Sequence, residues 1–118
     1  MSSGAAINGS PVSGGYAGAK ATVRFIAGYA QDESRRAGLD LTVTAVLPRM
    51  TPLGDVGRRG VRGYAARGGQ TEEEFVGQMG ELLTPETAGA ALVDLARMKP
   101  ADTASAYLLT AAGLGQLP

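Results

Sequence analysis

At 118 residues, 44% of them hydrophobic, the chain has the size and apolar content of one ordinary globular domain rather than of a disordered segment. Its 11 basic and 11 acidic side chains cancel, which removes any electrostatic case for nucleic acid or a membrane surface as partner. The absence of cysteine and histidine excludes disulfides, thiolate metal sites and the usual base of a serine or cysteine nucleophile. Acid–base chemistry therefore falls to Tyr, Lys, Asp, Glu or Arg. The opening stretch MSSGAAINGSPVSGG has no positive n-region and no long apolar run, and no stretch approaches the roughly 20 apolar residues of a membrane span. A soluble, cytoplasmic protein is the expectation.

Residues 1–15, rich in Ser, Gly and Ala, read as a loop. From Ser13 to Arg36 the spacing predicts a helix. Ala19, Val23, Ile26 and Ala30 form one apolar stripe, and Phe25 with Tyr29 forms a second, so the helix is expected to pack on two sides. Arg35 and Arg36 suit the negative end of the dipole, and Gly38 is the expected C-cap. The stretch LDLTVTAVLP, residues 39–48, is β-branched and almost continuously apolar, which predicts a strand buried on both faces and ended by Pro48. A helix, a glycine turn and a buried strand make half of a parallel α/β unit.

Residues 49–70, with five arginines and several glycines, read as irregular. TEEEFVGQMGELL opens with a capping box, Thr71 as N-cap and Glu74 at N3, and Phe75, Met79 and Leu83 share a face. Gly77 and Gly80 each cost about 1 kcal/mol relative to Ala, which predicts a labile helix. A further helix opens at Thr84-Pro85-Glu86, carries Ala88, Ala91, Leu92 and Leu95 on its apolar face, and ends near Met98. SAYLLTAAG, residues 105–113, reads as a short buried strand followed by a glycine-bearing tail.

The chemistry concentrates in GGYAGAKAT. Tyr16 and Lys20, one of only two lysines, lie one helical turn apart, roughly 5–6 Å on one face. An ammonium at that distance favours the phenolate, which suits a tyrosine that lends a proton to a carbonyl oxygen and takes it back. By itself Tyr-x-x-x-Lys is a weak signal, and an exposed surface pair is the simpler reading of it. Ser3 stands 13 residues before Tyr16, and Ser2 and Ser10 are alternative hydroxyls at other spacings.

The pattern Ser-x12-Tyr-x-x-x-Lys, from Ser3 to Lys20, resembles the active-site segment of the short-chain dehydrogenase/reductase family. LTVTAVLP looks like that family's sixth strand, Arg49–Leu83 its variable substrate lid (residues 49–83), TPETAGAALVDLA its last large helix, and SAYLLTAAG its seventh strand. The resemblance spans residues 1–118. It implies the C-terminal portion of a Rossmann-type doubly wound parallel sheet, α/β in class. It also implies an oxidoreductase that moves a hydride between NAD or NADP and a small carbonyl or secondary alcohol. Tyr16 would be the general acid/base, Ser3 the donor to the substrate oxygen, and Lys20 the charge beside Tyr16 that also reaches the nicotinamide ribose. Pro48 and Thr51 would flank the nicotinamide. Arg49 replaces the glycine usual after the strand-six proline, and Leu53 the expected threonine.

No G-x-x-x-G-x-G follows a strand here, so the resemblance is to the half of such an enzyme that lacks the nucleotide-binding turn. Three expectations follow. The outer edge of LTVTAVL should be open, and the chain alone should neither hold dinucleotide tightly nor turn over. The Phe25/Tyr29 face of the long helix, residues 14–36, should join a subunit interface in a homo-oligomer. The alternative is a non-catalytic module that acts only through such association. The arginine cluster at 58, 59, 62 and 67 reads as solvated, and Glu72–Glu74 as a run suited to a helix N-terminus, with no metal implied.

Overall fold

A computed structural model describes residues 1–118. The elements run α1 (Ala5–Asn8), α2 (Gly14–Arg36), β1 (Ala45–Pro48), α3 (Asp55–Arg67), α4 (Glu72–Gly77), α5 (Pro85–Arg97), a 3₁₀ turn (Pro100–Asp102), β2 (Ala106–Thr110) and β3 (Gly113–Gln116). This is a small α/β fold with one three-stranded sheet in the order β1-β2-β3. β1 pairs β2 in parallel, Ala45 opposite Ala106 and Pro48 opposite Leu109. β3 pairs β2 antiparallel, so the sheet is mixed rather than wholly parallel. The glycine-bearing tail is thus a third strand, turned back at Gly113, whose φ of +100° suits the corner of a tight hairpin. No helix is long and apolar enough to cross a membrane.

Alternation along the strands divides the core between two faces. Val46, Tyr107 and Leu109 point to one face, where Leu83 and the α5 residues Ala88, Ala91, Leu92 and Leu95 cover them. Ala45, Leu47 and Ala106 point to the other, against Ala6, Ala27 and Leu117. The sheet is therefore a middle layer with α5 on one side and α2 on the other. Both faces of β1 are buried, as its apolar run requires, and the apolar face of α5 is the one read from its spacing.

The start of α5 follows its sequence closely. The Thr84 hydroxyl accepts from the Thr87 N–H, and Pro85 occupies the first helical position, where its missing donor is harmless. Thr71 and Glu74 complete the capping box of α4, with both reciprocal bonds made. That helix ends at Gly77, short of the Met79–Leu83 stretch expected to continue it, and Gly80 takes a positive φ of 73°. At the far end of α2, Ala37 is the C-cap and Gly38 follows it at φ +64°. The Leu39 N–H returns to the Ser34 carbonyl and the Gly38 N–H to that of Arg35, the two bonds of a Schellman closure.

Several expectations need correction. Residues 1–15 are not all loop, since Ala5–Asn8 form one turn of helix. Second, the strand occupies only Ala45–Pro48, because β2 begins at Ala106 and offers residues 39–44 no partner. The Val43 N–H instead donates to the Gln31 side chain and the Thr44 hydroxyl to the Ala104 carbonyl, leaving Leu39 and Leu41 exposed.

Third, residues 55–67 of the stretch read as irregular form α3. Its glycines at 57, 60 and 63 obscure the periodicity because they lie where neighbours press close. A Cβ at Gly57 would overlap the Thr51 carbonyl oxygen, one at Gly60 would meet Met50 Sδ at 2.7 Å, and one at Gly63 would meet Val12 Cγ1 at 2.5 Å. Fourth, the Ala19/Val23/Ile26/Ala30 stripe of α2 does not face the core. The side toward the sheet carries Ala17, Lys20, Ala27 and Ser34, small or long-stemmed groups that let the helix approach the alanines of the strands. Val23, Ile26, Phe25 and Tyr29 all remain exposed, Phe25 by 74%.

The outer edge of β1 is not bare. The Ser2 N–H donates to the Val46 carbonyl (2.8 Å) and the Gly4 N–H to the Pro48 carbonyl (3.0 Å), so residues 2–4 run alongside β1 in the same direction. Pro48 sits with its missing N–H toward that side, since the Ala45 and Arg49 N–H groups turn to β2.

Candidate functional site

Three contacts link the segment that carries Ser3 to Pro48, Lys20 and Tyr16. The first is the pairing of residues 2–4 with β1, which places Ser3 between the two N–H groups that bond Val46 and Pro48. The second ties the same segment to α2. Ser2, buried to 4% exposure, donates its hydroxyl to the Lys20 carbonyl at 2.6 Å, and Lys20 Nζ donates back to the Met1 carbonyl at 3.3 Å. The third lies within α2, where Lys20 Nζ stands 5.7 Å from the centre of the Tyr16 ring. The ammonium thus covers the ring face, a cation–π contact, rather than bonding the hydroxyl.

Each group is left with free capacity. The Tyr16 hydroxyl bonds no protein group, and the residue is 39% exposed, so it can meet a ligand from solvent. An ammonium carries three donors, and Met1 takes one of those on Lys20. Ser3 is half-buried; its Oγ accepts from the Ala5 N–H at 3.2 Å, and its own proton remains to be given. A phenol, an ammonium and a hydroxyl are the kinds of group that can hydrogen-bond a carbonyl oxygen.

Pro48 adjoins this set through Gly4, where a Cβ would stand 3.4 Å from the Pro48 carbonyl oxygen. Thr51 makes its contacts within its own stretch of chain. Its hydroxyl accepts from the Leu53 N–H at 3.4 Å and its carbonyl packs beneath Gly57, so it makes no bond to Ser3, Tyr16 or Lys20.

Sequence spacing missed two contributors. Ser2, set aside for its spacing to Tyr16, is the serine that holds α2 by its Lys20 carbonyl. Ser10, set aside on the same ground, is buried and bonds both Ser13 and Tyr64. The arginine cluster is exposed, with Arg58 paired to Asp55 and Arg62 to Glu72 across α3 and α4. Comparison of the chain with protein-family models, with curated proteins and with solved structures gives no match.

Proposed function

We propose that the chain carries the catalytic segment of a short-chain dehydrogenase/reductase, which transfers a hydride between NAD(P) and a carbonyl or secondary alcohol. The observation that carries this reading is the double tie between residues 1–2 and Lys20. It ties the segment that carries Ser3 to α2 at Lys20, whose ammonium lies 5.7 Å from the centre of the Tyr16 ring. In this reading Tyr16 gives its proton to the substrate oxygen during reduction and recovers it from solvent, which its exposure permits. Ser3 donates to the same oxygen. Lys20 keeps positive charge beside the ring and has donors to spare for a ribose hydroxyl.

The sheet would be the C-terminal part of a Rossmann-type doubly wound sheet. The parallel β1–β2 pair, covered by α2 and α5 on opposite faces, supports this, as does the parallel run of residues 2–4 beside β1. Residues 49–83, now α3 and α4, would be the substrate lid. In this reading the nicotinamide end of a dinucleotide would meet Tyr16, Lys20, Pro48 and Thr51, whose hydroxyl accepts from the Leu53 N–H and keeps its own proton to give. No glycine-rich phosphate turn stands among these residues, so the chain alone should not bind dinucleotide at micromolar affinity. When bound, the nicotinamide supplies or accepts the hydride.

The test joins the chain to a nucleotide-binding half and follows NAD(P)H-linked carbonyl reduction with Tyr16 and with Tyr16→Phe. Loss of about 10²–10⁴-fold in rate is expected, the usual share of a general acid. An unchanged rate overturns the reading. A homo-oligomer formed through the outer face of α2 belongs to the same proposal, supported by exposed Val23, Phe25, Ile26 and Tyr29.

A further inference from the structure

The loop between α1 and α2 is held from the far side by α3 through one serine, Ser10, whose hydrogen-bonding positions are all filled. Ser10 Oγ accepts from the Tyr64 hydroxyl at 2.7 Å and from the Ser13 N–H at 3.2 Å. A hydroxyl has two acceptor positions and one proton, so the remaining contact, 2.8 Å to Ser13 Oγ, is the one Ser10 donates. Ser10 is 8% exposed, and no water is needed to complete its set. Beside it, Val12 enters the space where Gly63 has no side chain. Tyr64 is itself braced, its ring stacked on Phe75 of α4 at 6.0 Å and 7° between planes. At the other end, Ser13 is the N-cap of α2, and its carbonyl accepts from the N–H of buried Ala17, the residue next to Tyr16.

From this we infer that Tyr64 is a positioning residue: through Ser10 and Ser13 it couples the α3–α4 arm to the first turn of α2, so that arm and Tyr16 are set together. An arm lifted from the body withdraws the Tyr64 hydroxyl and the Gly63 notch at once. Ser10 then loses a donor, Val12 loses its seat, and the N-cap loop is released one turn before Tyr16. The coupling stands on geometry alone; its meaning for catalysis rests on the role proposed above for Tyr16, with the arm as the lid that must admit substrate.

Amide hydrogen exchange on the full 118-residue chain tests the coupling without any activity. Tyr64→Phe removes the hydroxyl and keeps the ring on Phe75. The expected result is faster exchange, by about fivefold for one lost hydrogen bond, both across α3 and at the Ala17 amide. The amides of α5 and β2 should keep their wild-type rates. Ser10→Ala also removes both contacts to Ser13, so it should accelerate the same two places, the Ala17 amide the more, and the double variant should exchange little faster than Ser10→Ala alone, as for partners in one bond. Faster exchange in α3 with Ala17 unmoved overturns the coupling, and so does additivity of the two changes. A uniform rise through α5 and β2 also overturns it, since the bond would then serve only the stability of the whole. If Tyr16→Phe leaves activity unchanged while this exchange pattern is seen, the catalytic reading fails and the coupling stands.

Discussion

Gly57→Ala sets a steric clash against helix propensity, and the clash should win. Within a helix this exchange alone gains up to about 1 kcal/mol. At Gly57, however, the added carbon overlaps the Thr51 carbonyl oxygen and lies 2.7 Å from the carbonyl carbon. That neighbour is backbone, so the N-terminal turn of α3 must shift as a body, an overpacking penalty of about 2–3 kcal/mol, the upper part of the usual range. The net expectation is a loss of about 1–2 kcal/mol. Gly89→Ala in α5 is the control, because nothing lies within 4 Å of its new carbon and the full propensity gain of about 1 kcal/mol should appear. Gly60→Ala is intermediate. Its obstacle is Met50 Sδ, the end of a flexible chain that can swing aside, so the change should be close to neutral. An unfolding entropy of about 2.1 cal/mol/K per residue over 118 residues makes 1 kcal/mol worth about 4 °C. Thermal melts should therefore rank Gly89→Ala above wild type by about 4 °C, Gly60→Ala near it, and Gly57→Ala below it by about 4–8 °C. A Gly57→Ala chain as stable as the Gly89→Ala chain would refute the packing of α3 on Thr51.

Leu109→Ala removes a fully buried side chain at the centre of the face shared with Val46, Leu83, Leu95 and Tyr107. It should cost about 3 kcal/mol in urea unfolding, and a loss below about 1 kcal/mol would mean that this face is not the core. Thr71→Ala deletes the hydroxyl that accepts the Glu74 N–H. It should weaken α4 by about 1 kcal/mol, seen as faster exchange of the Phe75 amide with α5 unmoved; equal rates would argue that the cap does not hold the helix. Phe25→Ser with Tyr29→Ser should turn an associating chain monomeric in sedimentation velocity, and association that survives both changes would remove α2 as the contact.

Where a local rule was sufficient, the fold was legible. Thr84-Pro85 and Thr71–Glu74 name their helix starts because each side chain supplies the bond its own backbone lacks, and α5 shows its buried face by spacing alone. Tyr16 and Lys20 could be placed together for the same reason. Legibility failed where a residue answers to a distant neighbour. Gly57, Gly60 and Gly63 look like helix breakers until Thr51, Met50 and Val12 occupy the space beside them. The apolar run from Leu39 cannot announce that its partner strand begins only at Ala106. The outward turn of Val23 and Ile26 depends on how closely α2 approaches two alanines, Ala45 and Ala106, that no helical period encodes. Ser2 and Ser10 were visible as serines, but their carbonyl and tyrosine partners, Lys20 and Tyr64, come from tertiary structure.

The sheet also bears on how the chain reaches this arrangement. β2 and β3 meet across a hairpin, whereas Ala45 pairs with Ala106, 61 positions later. Local segments such as α2, α5 and the hairpin can form within microseconds. β1 must wait for the entropy of closing a long loop to be overcome before its parallel bonds form. Until then Leu47 lacks its place in the core and the inner edge of β2 is unpaired, the state in which a half-folded chain is most prone to associate. The arrival of four residues, Ala45–Pro48, would thus set both the speed of assembly and the interval of greatest risk.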